Sequence, residues 1–136
     1  MLRVSGRRIV RTAAVTLAAM VAAGAVIGPA VAHHSGAVYF DMNSQITVEG
    51  VVDEFVFKAP HAVLKFIVVN DQGEQELWRA ETLPANLLFR RGWRFNMFEK
   101  GEKIKVTGNP AKEADRHAVE LQQVVAEDGT VYKPFD

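Results

Sequence analysis

The chain has 136 residues, 49% hydrophobic and 24% charged, which suits one globular domain and is too short for two. Its formal net charge is zero, yet of the 16 Lys+Arg four (Arg3, Arg7, Arg8, Arg11) precede position 33, leaving 12 to face all 16 Asp+Glu in the rest. That acidic remainder excludes a binder of the nucleic-acid backbone, and the lack of cysteine excludes disulfides, thiolate metal centres and thiol catalysis.

The opening MLRVSGRRIVR is basic, and AAVTLAAMVAAGAVI after it is uncharged. Gly28-Pro29 and Ala30-Val31-Ala32 follow. A basic start, a short apolar core and a small-x-small ending predict a secretory signal peptide over residues 1–32. The apolar stretch is short against the roughly 20 residues of a membrane span, and an uncleaved anchor is the alternative. Arg7-Arg8 points toward twin-arginine export, while Arg11 stands where that signal favours an apolar residue, so the general secretory route stays open. Cleavage after Ala32 makes His33 the first residue of a periplasmic or secreted protein without a membrane span.

Residues 33–45 read as an N-terminal arm, and residues 46–136 as a β-domain. Ile46 to Phe57 is rich in β-branched and aromatic residues. Ile46, Val48, Gly50 and Val52 share a face, whereas Phe55 and Phe57 fall on the opposite parity. A bulge near Asp53-Glu54, or a strand buried on both faces there, accounts for the switch, and Gly50 marks a bend of a coiling strand. Ala62, Leu64, Phe66 and Val68 form the apolar face of a second strand, and Asn70-Asp71-Gln72-Gly73 signals a hairpin turn. Glu76 to Glu81 is the third strand. A helix over about 83–91 follows, with Thr82 as N-cap, Pro84 in its first turn, Gly92 as its stop, and Leu83, Leu87 and Leu88 facing the core. A fourth strand starts at Ile104 and ends at Gly108-Asn109-Pro110. A fifth carries Val119 and Leu121, and Val131-Tyr132 is a short last one. Three strands, a helix and two more strands is the order of a small barrel of the oligonucleotide/oligosaccharide-binding (OB) type. The predicted class is therefore all-β with one short helix, and an open β-sandwich is the alternative.

Four pieces in order carry a resemblance: Ala32-His33-His34-Ser35 with Phe40-Asp41, then Pro60-His61-Ala62, then Trp78 and Glu81 leading into Leu83-Pro84, then Leu88 to Trp93 ending Arg91-Gly92-Trp93. Together they resemble a family of small secreted bacterial proteins whose function is unknown. Ala59 stands where members usually carry Asn, and Gly36 where they often carry an aromatic residue. The resemblance implies export and a barrel-like domain, and implies no activity.

Chemistry has to come from the residues. A histidine at the N-terminus offers its α-amine and its ring to one ion, and His34 adds an imidazole. Nitrogen ligands of this kind favour copper over other divalent metals. Many peptides that begin His-His also bind copper without biological use. His61, after Pro60 at the entry to the second strand, is a third candidate nitrogen ligand or a loop histidine bonded to its surroundings. Glu81 and Asp41 are candidate oxygen ligands or carboxylates that orient an imidazole. His117 reads as a solvated loop residue. Arg90, Arg91, Trp93 and Arg94 cluster at the helix end, where arginines complement the helix dipole and stack on Trp93; the same cluster is a candidate docking patch for an anion or a partner protein. No Gly-x-Ser-x-Gly, phosphate-cradling glycine loop or His-Glu-x-x-His occurs, so nothing points to an enzyme. Two readings follow: a periplasmic copper-binding module with His33, His34, His61 and Glu81, or a metal-free module for an unknown periplasmic partner or a small ligand.

Overall fold

A computed structural model describes residues 36–135. The proposed signal peptide and the pair His33-His34 lie outside the described residues. The strands are β1 (Ile46–Val56), β2 (Val63–Val69), β3 (Gln75–Glu81), β4 (Lys103–Pro110), β5 (Ala118–Val125) and β6 (Val131–Tyr132), with one helix, α1 (Ala85–Arg90), between β3 and β4. Neighbours in the sheet run β3-β2-β1-β4-β5-β6, and β3 also pairs with β5 in parallel. That extra pairing closes a ring of five strands, β1-β2-β3-β5-β4. The class is all-β, a small closed barrel with the predicted OB-like order.

Sequence pattern explains most of the ring. β1 is long because it serves two partners: Ile46–Val51 pairs with β4, and Val51–Val56 pairs with β2. The predicted bulge falls between Val52 and Glu54 and turns Phe55 into the core, where it meets Phe98 edge-on at 5.2 Å. A Cβ at Gly50 would lie 2.6 Å from the Ile67 carbonyl oxygen and 2.7 Å from the Phe66 ring, so only glycine lets β1 coil this tightly against β2. The β2–β3 turn is held by the Asn70 side-chain oxygen, which accepts from the amides of Gln72 and Glu74.

The core runs through the barrel and out to one end. Val52, Leu64, Phe66, Val106, Leu121 and Val124 fill the interior, and Leu88, Trp93 and Phe98 cover it. Trp93 is only 3% exposed and sits between Phe55, Phe98 and Tyr132, with ring centroids 5.8 to 6.1 Å away. Its expected surface position beside the arginines is thus corrected. The helix also differs from expectation. It starts at Ala85, with Pro84 as N-cap and no side-chain cap bond. Thr82 is buried with its hydroxyl unpartnered, so it does not cap. Leu88 is fully buried, while Leu87 is 37% exposed.

The chain before β1 packs onto the barrel. A 3-10 turn spans Gly36–Val38, and buried Phe40 bridges to Ala111. The fourth strand ends at Gly108-Asn109-Pro110 as expected, with all three residues within β4. Asn109 is buried, donates to the Ser44 carbonyl at 2.7 Å and accepts from Gln122 at 2.9 Å. Those bonds use its amide to fasten residues 41–44 to the barrel.

Candidate functional site

Three polar side chains gather where β2, β3 and β5 meet. His61 precedes β2, Glu81 ends β3 and Glu120 lies on β5. The β2–β3 ladder pairs Val63 with Glu81, and the parallel β3–β5 ladder pairs Glu81 with Glu120. The turn at His61 is fixed by its neighbour: the Ala62 amide donates to the Leu83 carbonyl, and the Ala62 carbonyl accepts from the Thr82 amide, both at 3.0 Å.

His61 Nδ1 lies 3.1 Å from the Thr82 carbonyl oxygen. A carbonyl only accepts, so Nδ1 carries the proton, and in the neutral ring Nε2 is then the nitrogen with the lone pair. The residue is exposed. An imidazole oriented by a backbone carbonyl, with the other nitrogen bare, is the state in which histidine binds metals.

The two carboxylates differ. Glu81 Oε1 accepts from the Arg116 guanidinium at 3.1 Å, so its charge is already matched. Arg116 also lies over the Tyr39 ring, 6.0 Å from the centroid, and so links β3 to the segment before β1. Glu120 has no such partner: its Oε2 is buried without a hydrogen bond. Burial pushes the Glu120 carboxyl above the usual carboxylate range, and the nearby His61 imidazole opposes that rise. Gly36 sits directly over this group, since a Cβ there would lie 2.3 Å from Glu120 Oε1.

Residues 19–121 match a protein-family description that reads "family of unknown function (DUF6152)". The chain belongs to that family. No curated protein and no solved structure matches it. The matched range contains all three residues of the cluster, His61, Glu81 and Glu120.

The other candidates lie elsewhere. Asp41 accepts from the Asn43 amide and the Ser44 hydroxyl, closing a turn. His117 stacks on Trp78, with centroids 5.3 Å apart and planes 8° from parallel, and reaches Glu76 at 3.7 Å. It is a packed residue and not simply a solvated one. Arg90, Arg91 and Arg94 are exposed, but none stacks on Trp93. Arg94 covers Phe89 instead, 4.2 Å from the ring centroid, and Arg91 donates to the Pro134 carbonyl. Among the described residues no group of three His, Cys, Asp or Glu side chains is arranged to hold a metal ion, and no helix is long and apolar enough to cross a membrane.

Sequence reasoning singled out His61 and Glu81 and missed Glu120 and Arg116. A charged residue between Val119 and Leu121 was the available signal. Its meaning depends on the β3–β5 pairing, which local alternation does not encode.

Proposed function

We propose that this chain is an exported β-barrel module that binds a single copper ion. The α-amine and ring of His33 and the ring of His34 supply nitrogens from the arm, and His61 Nε2 supplies one from the barrel. The observation that carries this reading is the His61 ring, committed through Nδ1 and free at Nε2, on the barrel end where the described chain begins at Gly36. Among the described residues no group of three His, Cys, Asp or Glu side chains is arranged to hold a metal ion, so this reading draws its other nitrogens from the arm. A nitrogen-rich set of this kind favours Cu²⁺. Export is supported by the basic, apolar and small-x-small order of residues 1–32, and it would place the chain in the periplasm or outside the cell. Glu81, matched by Arg116, takes an outer supporting place.

The test is a Cu²⁺ titration of exported protein whose intact mass starts at His33. It is compared with the same protein carrying one extra glycine before His33, and with His61→Ala and His117→Ala. The extension and His61→Ala should each weaken binding by roughly tenfold or more, and His117→Ala should leave it unchanged. Affinity should fall as pH drops through about 8 to 6, because the α-amine must lose its proton to bind. Equal affinity in all four overturns the reading. The metal-free interaction module would then be favoured, with Arg90 and Arg94 beside exposed Phe89 and Phe95 as its surface.

A further inference from the structure

From α1 onward the chain commits every fifth residue, Leu88, Trp93 and Phe98, to the core. The side chains between them are left outside. Phe95 is 71% exposed, Phe89 56% and Leu87 37%, and Arg90, Arg91 and Arg94 are exposed among them. Large apolar groups set together in water mark a contact surface. Here the charge beside them is fixed in place: the Arg94 guanidinium lies over the Phe89 ring, 4.2 Å from its centroid, and donates to the Phe89 and Trp93 carbonyls at 3.1 and 2.7 Å. The sign of that charge is uniform. From Thr82 to Phe98 the chain has three cations and no acid, whereas the rest of residues 33–136 has 9 Lys+Arg against 16 Asp+Glu. Among the described residues, ion pairs engage Lys65, Lys100, Lys105, Arg116 and His117, and none reaches Arg90, Arg91 or Arg94. Shape decides what such a surface fits. The cavity beside this end is lined by residues that include Arg91, Trp93, Met97 and Tyr132. Phe89 and Phe95 do not line it, and at these exposures their rings stand out from the surface. A protein partner is held by pockets that its anchors fill, whereas projecting rings flanked by cations suit a soft layer into which they sink.

We propose that this face docks on a bilayer surface rich in anionic lipid. Phe89 and Phe95 enter the boundary between headgroups and acyl chains, and Arg90 and Arg94 meet lipid phosphates. The attachment is peripheral and needs no membrane span. It combines apolar burial, which salt does not weaken, with cation–headgroup attraction, which salt screens. A chain with this excess of acids is repelled by an anionic bilayer unless a local patch of the opposite sign holds it. The docking goes beyond the copper reading and is independent of it, so metal-free protein is the sample.

The experiment is co-sedimentation of the exported chain beginning at His33 with vesicles of phosphatidylglycerol and phosphatidylcholine, against vesicles of phosphatidylcholine alone. Wild type should partition onto the anionic vesicles about tenfold or more above the neutral ones, and added salt should release part of it. Arg90→Gln with Arg94→Gln should lower that partition by roughly tenfold or more. Phe95→Ser should lower it by about fivefold and melt like wild type, since so exposed a side chain contributes little to stability. Arg79→Gln with Lys105→Gln removes the same charge from the outer faces of β3 and β4 and should change partition less than about twofold. Should Arg94→Gln loosen the loop whose carbonyls it holds, Arg90→Gln with Phe95→Ser carries the test. Equal losses in the two double variants overturn the proposal, because net charge and not this face would then be responsible. So does wild-type protein that stays in solution with both kinds of vesicle. Retention on immobilised polyglutamate without vesicle binding also overturns it, in favour of an acidic protein partner.

Discussion

Glu76 accepts from the Asn70 amide at 2.9 Å and from the Trp78 indole at 3.1 Å. The Asn70 bond first and the Trp78 bond second hold its carboxyl below the model-compound value of 4.5, and His117 adds a smaller pull. A lowered value in the folded state means that the unfolded chain takes up the proton more readily. The stabilisation is therefore complete above about 4.5 and disappears as pH falls through the lower folded value. Glu76→Gln should melt below wild type at pH 6, with the gap closing toward pH 3. Melting curves across that range check it, and a gap that stays constant with pH would refute the assignment. Burial separates Glu76 from Glu120. One carboxylate has donors and is pulled down, and the other has none and is pushed up.

At the scale of elements, α1 is one turn and a half and would not persist alone in water. Tertiary packing holds it, through Leu88. Leu88→Ala should cost roughly 2–5 kcal/mol, and Leu87→Ala on its exposed side less than about 1 kcal/mol. Urea denaturation of the two variants checks the pair, and equal losses would put the wrong face on the core. Strand positions were legible because alternation, turn residues and the β1 parity switch are local signals, and each corresponds to a backbone requirement. The helix start was not. Thr82 has the chemistry of a cap, but the β2–β3 ladder extends through its amide to the Ala62 carbonyl and keeps it in the sheet. Trp93 misled for a related reason, since arginines on both sides mask a ring that the core takes up. The candidate site divides the same way. His61 and Glu81 are visible as polar residues at strand ends, whereas Glu120 acquires its neighbours only when β5 joins β3 across a long stretch of chain.

At the scale of the whole molecule, ring closure requires close approach of backbones, and β1 bears most of it. Gly50→Val would press a side chain into the Ile67 carbonyl and the Phe66 ring, and should destabilise the barrel by about 1–3 kcal/mol. Gly36→Ala meets only the movable end of Glu120 and should cost much less. Thermal melts of the two variants check this contrast, and equal losses would refute it. Closure has another effect, on how other chains can engage this one. Many proteins capture an extended peptide by letting it hydrogen-bond along an open sheet edge, and the same edges seed aggregation. Here β5 lies between β4 and β6 and also meets β3 along Arg79–Glu81. Among the described strands, the outer side of β3 along Gln75–Trp78, the outer side of β6, and the side of β1 along Ile46–Gly50 that faces away from β4 remain without a strand. The first carries the charge of Glu76, and the second is two residues long and runs into Pro134, which has no amide proton to offer. These two are shorter than an ordinary strand of about 5–6 residues. An extended peptide or a second native copy therefore finds only short lengths of open edge on the described barrel.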